Sequence, residues 1–432
     1  MTFLSIFVLV VVFLVLLFLG TPISISIGIS TLCTMLLSID FYPAVTTVAQ
    51  RMATGLDSFA LLAIPFFILS GQFMNRGGIA RRLIEFAKVL VGWLPGGLAF
   101  VNILAAMLFG AISGSAVAAA AAIGGFMVPN MEKEGYDKTF STAVNITSST
   151  TGMIIPPSNI LIVYSLASGG VSIAALFIAG YFPGILLGLL LMVVSGFIAW
   201  KKGYPTASGF SLKESILKFL DAIPSLLMIV IVIGGIIVGF FTATEASAIA
   251  VLYTFILSVL IYREVPWKEI PDILLKSVMT TSIVMLLIGT SMAMSWIMSY
   301  ENIPQTVSAF LLNLTQNRFL ILIIINVILL FIGMFMDMTP AVLIFTPIFL
   351  PVVMNLGMDP IHFGIMMVLN LSIGLCTPPV GSVLFVGCGI GNVSIEKVIK
   401  PLIPLFLAML VALLLVTYFP WFSMVLPRVF GY

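Results

Sequence analysis

From residue 173 to residue 200 the chain carries no charged side chain, and apolar runs of this kind recur throughout the sequence. A helical run of about 20 such residues matches the hydrocarbon thickness of a bilayer. The expected fold is therefore an all-α polytopic membrane protein. Composition agrees, since 61% of the residues are hydrophobic and 8% charged, where a soluble domain carries about 25% charged residues. The 18 Lys and Arg against 16 Asp and Glu leave a net charge of +2, so neither a basic surface for nucleic acid nor an acidic tail is expected. Cys33, Cys376 and Cys388 stand at unrelated spacings in apolar runs, giving neither a disulfide framework nor a zinc pattern. One histidine, His362, and no nucleophile-base pair or phosphate loop argue against an enzyme.

Ten spans are predicted: Phe3–Gly20, Ile23–Ile39, Phe59–Phe73, Phe140–Ala167, Ile173–Trp200, Phe219–Phe241, Ala246–Tyr262, Val278–Tyr300, His362–Gly389 and Val398–Pro420. The first has no charged segment before it and no small-residue cleavage site after it, so it reads as a retained helix. Leu94–Met131 and Phe319–Met354 are too long for one ordinary span. Each is interrupted near its middle, by Ser113-Gly114-Ser115 and by Asp337-Met338-Thr339-Pro340. Half of either stretch is about 17 residues, at the low edge of what crosses a bilayer. Both are expected to be re-entrant hairpins, whose irregular tips are tolerated at depth only where protein or water surrounds them.

Basic residues concentrate in loops on the inner side of a membrane. With the N-terminus outside and each hairpin counted as no crossing, all but three of the 18 Lys and Arg residues fall inside. Arg51, Arg318 and Arg428 are the three outside. Letting either hairpin cross once weakens that bias, so both termini are expected on the periplasmic or exterior face. Trp93, Trp200, Trp267 and Trp421 stand at or near span ends, as interfacial anchors do.

A shift of 222 residues aligns Pro129–Ile173 with Pro351–Ile395 without a gap. The identities fall mostly on residues that shape backbone: Pro129/Pro351, Gly135/Gly357, Asp137/Asp359, Gly152/Gly374, Pro156-Pro157/Pro378-Pro379 and Gly169/Gly391. Ser115 then faces Asp337, so the hairpin tips correspond too. Each repeat holds five crossings, an odd number, and the halves must be inverted. Inverted repeats with Gly- and Pro-interrupted helices at matching positions are the pattern of secondary transporters.

Two helix breaks, Gly152–Ser158 and Gly374–Val380, each contain Pro-Pro. Proline removes N–H donors and clashes with the preceding turn. The carbonyls so freed are hard oxygen ligands at the partly negative end of a half-helix, suited to a small monovalent cation such as Na⁺. A first ion site is expected from Ser113, Gly114 and Ser115 with Gly152, Ile155 and Pro156. A second is expected from Asp337, Met338 and Thr339 with Gly374, Thr377, Pro378 and Gly381. A carboxylate inside a membrane span marks function by default; capping of local N–H groups is the other role open to Asp337. The polar run before the first break supplies Asn145, Ser148, Ser149 and Thr151, with Ser158 and Asn159 beyond; its counterpart supplies Asn370 and Ser372. These could face a substrate carboxylate or polyol, or hydrogen-bond between helices. Gly77–Trp93 reads as an amphipathic helix in the interface plane, bracing one bundle against another. Glu245 reads as a helix cap.

The segments Phe109–Ala118 and Gly152–Ser158, with Phe241–Ala246 and Gly374–Gly381, resemble the large membrane subunit of tripartite ATP-independent periplasmic (TRAP) transporters over essentially the whole chain. Ala243 stands where the family's pattern has proline. The resemblance implies Na⁺-driven uptake of an organic anion, a C4-dicarboxylate or a sugar acid such as sialic acid, and the two symmetric oxygen-rich sites predict two or more Na⁺ per turnover. It implies an elevator motion in the bacterial inner membrane, with a periplasmic substrate-binding protein and a small four-helix membrane subunit, here a separate chain, as partners. Scaffold helices and the interfacial arm would then occupy 1–93, and the first hairpin and broken helix 94–172. The last helix of the first repeat with the second scaffold and arm would take 173–317, the second hairpin and broken helix 318–393, and the last helix 394–432. A stand-alone Na⁺/carboxylate symporter and, in a different class, a gated channel are the alternatives.

Overall fold

The computed structural model describes residues 2–205, 212–315 and 317–432; the side chain of Lys213, one of the inside basic residues, lies outside that description. The described residues form α-helices and no strand. The first five are α1 (Thr2–Phe18), α2 (Ile23–Met35), α3 (Phe41–Leu56), α4 (Ala63–Arg76, entered by a 3-10 turn at Phe59–Leu62) and α5 (Ile79–Val91). The first hairpin is α6 (Gly97–Ser113) with α7 (Ala116–Lys133), followed by the broken helix α8 (Lys138–Ser149) and α9 (Asn159–Ala167). Next come α10 (Ile173–Lys202), α11 (Leu212–Ile237), α12 (Ala243–Phe255, continued by a π-helical turn), α13 (Ile270–Tyr300) and α14 (Ile303–Leu314). The second hairpin is α15 (Arg318–Phe335) with α16 (Met338–Asn355), the second broken helix α17 (Pro360–Gly374) with α18 (Ser382–Gly391). The chain closes with α19 (Ile395–Tyr418) and α20 (Trp421–Val429).

Eight helical segments are long and apolar enough to cross a membrane, while α1 and α2, expected as spans, are shorter. Three helices were not foreseen: α3, α14 and α20. All three are short and amphipathic or edge-lying, so none has the length of apolar sequence that marks a span. Arg51 of α3 lies 5.3 Å from the Trp296 ring on α13, which ties that helix to the bundle.

The repeat identities have local causes. Gly135 and Gly357 both adopt positive φ, at 87° and 75°, where a Cβ is disfavoured. Two residues on, Asp137 caps α8 by accepting from the Thr139 and Phe140 amides at 2.8 and 3.1 Å, and Asp359 caps α17 by accepting from the Ile361 amide at 2.7 Å. Each Gly-x-Asp thus stops one helix and starts the next. Glu245 completes a capping box with Thr242 at the start of α12, as expected.

The first halves of the broken helices form the centre. Every residue from Phe140 to Ser149 and from His362 to Gly374 is buried. Around them the repeats interlock: α7 packs on α18, and α16 packs on α9, each hairpin holding the half-helix of the other repeat. A second group surrounds this unit, with α4 on α12 and α13 on α2, α3 and α4. The interfacial helix α5 lies between the groups, on α6 and α11. Arg81 and Arg82 reach Glu264 at 2.7 and 3.0 Å, Arg82 also reaches Asp221 at 3.3 Å, and Lys218 reaches Glu85 at 3.2 Å. These ion pairs hold α5 to α11 and to the segment that follows α12.

Candidate functional site

Two crossings of glycine on glycine hold the hairpins to the breaks. A Cβ on Gly110 of α6 would stand 2.6 Å from the Gly152 Cα, and one on Gly374 would stand 2.6 Å from the Gly333 Cα of α15. Only backbone fits between them, so each hairpin rests directly on the place where its broken helix comes apart. At the first break the helix tightens to a 3-10 turn over Thr150–Met153, and the Ile154 and Ile155 amides both donate to the Thr151 carbonyl at 3.2 Å. Ser158 donates its hydroxyl to the Met153 carbonyl at 2.6 Å. At the second break Gly381, at φ 39°, lies against the carbonyls of Leu375 and Thr377, and its amide donates to the Met334 carbonyl at 3.0 Å. Both Pro-Pro bonds, Pro156-Pro157 and Pro378-Pro379, are cis.

At the first tip Gly114 adopts φ 62° and packs against Asn159. The Ser115 hydroxyl caps α7 by accepting from the Ala118 amide at 3.2 Å, and the Ala116 amide donates to the Met153 thioether at 3.1 Å. At the second tip Asp337 precedes α16 as its N-cap residue, without a side-chain capping hydrogen bond, and its side chain is exposed at the cavity.

The two tips meet. A cavity of about 210 Å³ is lined by Ser113–Ala118 of the first and Asp337, Met338 and Thr339 of the second. Met153 and its repeat counterpart Leu375 close its floor, and Asn159 adds an amide. The opposite wall comes from the surrounding group: Gln72 and Asn75 of α4 and Thr280 of α13. Gly71 admits the close approach, since a Cβ there would lie 3.3 Å from the Ser113 carbonyl oxygen. Among the described residues no Lys, Arg or His lines this cavity.

Of the expected ion-site residues, those of both tips are brought onto one cavity. Gly152 and Gly374 lie at the crossings behind it. Ile155 and Pro156 pack toward α10 at Gly184 and Gly180. Thr377 donates its hydroxyl to the Ile373 carbonyl at 2.8 Å, with Pro378 and Gly381 in the loop beyond. Of the expected substrate residues, Asn159 lines the cavity and Ser158 holds the turn beside it. Asn145, Ser148, Ser149, Thr151, Asn370 and Ser372 are fully buried elsewhere. Asn145 donates to the Ala120 carbonyl at 3.0 Å, and Ser149, Thr151 and Ser372 donate to carbonyls three residues back. Ser148 accepts from Asn102 at 3.1 Å, and Asn370 donates to the Asn326 side chain at 2.7 Å; these counterpart bonds tie each hairpin to its broken helix. Hydroxyls in a helix satisfy themselves on the preceding turn, so a polar stripe need not face a cavity. Gln72, Asn75 and Thr280 were not foreseen; two amides three apart near the end of apolar α4 were the available signal.

An all-α bundle that interlocks two such hairpin-and-break units around a shared cavity defines a membrane transporter. Residues 10–422 match the family model described as tripartite ATP-independent periplasmic transporter, DctM component, and the chain belongs to that family. It is 57% identical over 419 residues to the uncharacterized protein YgiK of Salmonella typhimurium, covering 97% of this chain and 96% of that one. It is 39% identical over 425 residues to the C4-dicarboxylate TRAP transporter large permease protein DctM of Rhodobacter capsulatus, covering 95% and 96%. Among solved structures the YdaH transporter of Alcanivorax borkumensis superposes with a TM-score of 0.64 at 14% identity, over 92% of this chain and 90% of that one, a likeness of fold. The chain is a TRAP large permease and not an enzyme.

Proposed function

We propose that this permease carries an organic anion together with Na⁺ through the cavity between the hairpin tips. The observation that carries the reading is the charge of that cavity. Its lining holds a carboxylate, Asp337, and no basic side chain among the described residues. An organic anion entering there meets like charge in a site of low dielectric, which costs several kcal/mol unless it is balanced. Co-bound cations supply the balance. One carboxylate plus one substrate anion calls for two or more Na⁺, held by carbonyls at the tips and breaks with Asp337 contributing charge. The N-terminal turns of α7 and α16 border the same cavity and favour the anion. Each charge moved in excess of neutrality gains about 2.3 kcal/mol per 100 mV.

In this reading the interlocked hairpin unit slides as an elevator against the α4 and α13 group, carrying the cavity from one face to the other. The protein sits in the bacterial inner membrane with both termini periplasmic, beside a small four-helix membrane subunit and a periplasmic binding protein. The Rhodobacter relative's name points to C4-dicarboxylates; sugar acids such as sialic acid would use the amides of Gln72, Asn75 and Asn159 and the hydroxyls of Ser113 and Ser115. Uptake into proteoliposomes holding the assembled system should vanish when choline replaces Na⁺ at constant ionic strength. Uptake driven equally well by a proton gradient alone would refute Na⁺ coupling. Uptake that ignores the binding protein would favour a stand-alone symporter.

A further inference from the structure

On the flank of the hairpin unit α10 and α19 pack side by side. A groove of about 670 Å³ opens along them, walled by Val193, Val194, Phe197 and Pro404 and ended by Lys201 and Lys202. Val193 and Phe197 are 68% and 61% exposed, apolar faces that no other described residue covers. Trp200, 70% exposed, sits beside the lysines. An exposed Trp at a span end settles at headgroup level, and Val193 lies about 10 Å further along the helix, among the acyl chains. The groove therefore runs from hydrocarbon to headgroup and finishes on two ammonium groups.

Among the described residues those ammonium groups have no acidic partner in contact. The lysine ion pairs among the described residues join Lys138 to Glu132, Lys218 to Glu85 and Lys276 to Asp272. Lys202 instead lies 5.9 and 5.7 Å from the Phe140 and Tyr204 rings, near the Asp137 cap. Lys397 and Lys400 open α19, the latter one turn before Pro404, and are exposed. Four lysines against Asp137 and Glu396 leave this end of the pair of helices positive.

We propose that this groove binds one anionic phospholipid, an acyl chain against Val193, Phe197 and Pro404 and the phosphate between Lys201 and Lys202. A zwitterionic lipid would bring its own ammonium or choline group beside these lysines, whereas a phosphatidylglycerol headgroup adds negative charge alone. The site also reaches the hairpin unit. Directly after Lys202, Tyr204 stacks on Tyr136 with centroids 4.3 Å apart and accepts from the Asp137 amide at 3.1 Å. A lipid seated on Lys201 and Lys202 steadies that junction at the base of the first hairpin. The inference needs the chain to be in a membrane and is independent of Na⁺ coupling.

The test is native mass spectrometry of the full chain released from nanodiscs of mixed phosphatidylethanolamine and phosphatidylglycerol. One phosphatidylglycerol should be retained above its share of the mixture. Each lysine near an anionic headgroup is worth about fivefold in affinity, so Lys201→Gln with Lys202→Gln should weaken binding about 25-fold and lower retention accordingly. Val193→Trp, which fills the groove and keeps both lysines, should also lose the lipid. Retention no greater than the share of the mixture, or a double variant that retains as much as wild type, would overturn the proposal. So would loss in the lysine variant with full retention in Val193→Trp, which would mean attraction of headgroups without a groove.

Discussion

At the first hairpin tip the chain turns through Ser113, Gly114 and Ser115, a neutral corner with a hydroxyl cap and a left-handed glycine. At the second it turns through Met336 and Asp337, with no glycine and a formal charge. Counted from the crossing glycine to the N-cap residue, Gly110 to Ser115 and Gly333 to Asp337, the second turn is one residue shorter. The scaffolding behind the tips is nearly the same, so duplication preserved the crossings while the tips diverged in chemistry. One tip supplies close approach and backbone oxygens; the other supplies charge. Their braces differ as well. The arm α5 beside the first hairpin is held by ion pairs, whereas α14 beside the second joins an apolar cluster with Leu9, Met294, Met298 and Ile344 through Ile303.

That contrast can be broken in three places. The largest effect is expected at the crossings. Alanine at Gly110 would place its Cβ 2.6 Å from the Gly152 Cα, while alanine at Gly333 would place it 3.1 Å from the Gly374 Cα. Overpacking against backbone costs about 1–3 kcal/mol, and Gly110→Ala should melt well below Gly333→Ala in detergent. Equal melting temperatures would mean that the first crossing is no tighter. Next comes the arm. Arg82 pairs with Glu264 and lies 3.5 Å from the centre of the Tyr262 ring. Arg82→Met should cost about 1 kcal/mol, and high salt should narrow the gap between wild type and variant. A gap that salt leaves unchanged would assign the loss to packing instead.

The smallest effect is expected at the paired caps. Asp137 accepts from two amides and Asp359 from one, so Asp137→Ala should cost about 1 kcal/mol and Asp359→Ala less. Burial pushes the Asp137 carboxyl up, but its bonds to the Thr139 hydroxyl and the Phe140 and Thr139 amides outweigh this and hold it below its usual value. Its contribution is thus complete above the ordinary Asp range and fades only as pH falls through the lowered value. Melting curves at neutral pH and near pH 3 should show the Asp137→Ala deficit shrinking in acid. A deficit that grows in acid would reverse the sign.

Much of this was legible in the sequence because its marks are backbone marks. Hairpins announced themselves by apolar stretches too long for one span with a polar middle, breaks by Pro-Pro, and the repeat by Gly and Asp at equal spacing. Whether a Ser, Thr or Asn faces a cavity leaves no such mark. Ser149 and Thr151 bond their own helix, and Asn145 reaches across to α7, yet in sequence they look like Asn159, which lines the cavity. Gln72 and Asn75 sit in neither repeat match nor break, and their relation to the tips exists only once α4 crosses Ser113. Short helices such as α3 gain their stability from docking, here on α13, and have no span-length pattern to declare them.

The central claim is that the charged tip belongs to the cation path. Asp337→Asn keeps the size of the side chain and removes its charge. Initial uptake should be titrated against Na⁺ in wild type and variant at matched reconstituted protein. The account predicts a half-saturating Na⁺ concentration raised several-fold in the variant, with the protein still folded, because the tip lies in a protein-lined cavity. Asparagine caps a helix about as well as aspartate, so a purely capping role leaves the titration unchanged. An unchanged midpoint would remove Asp337 from the ion path and contradict the charge argument on which the proposed coupling rests.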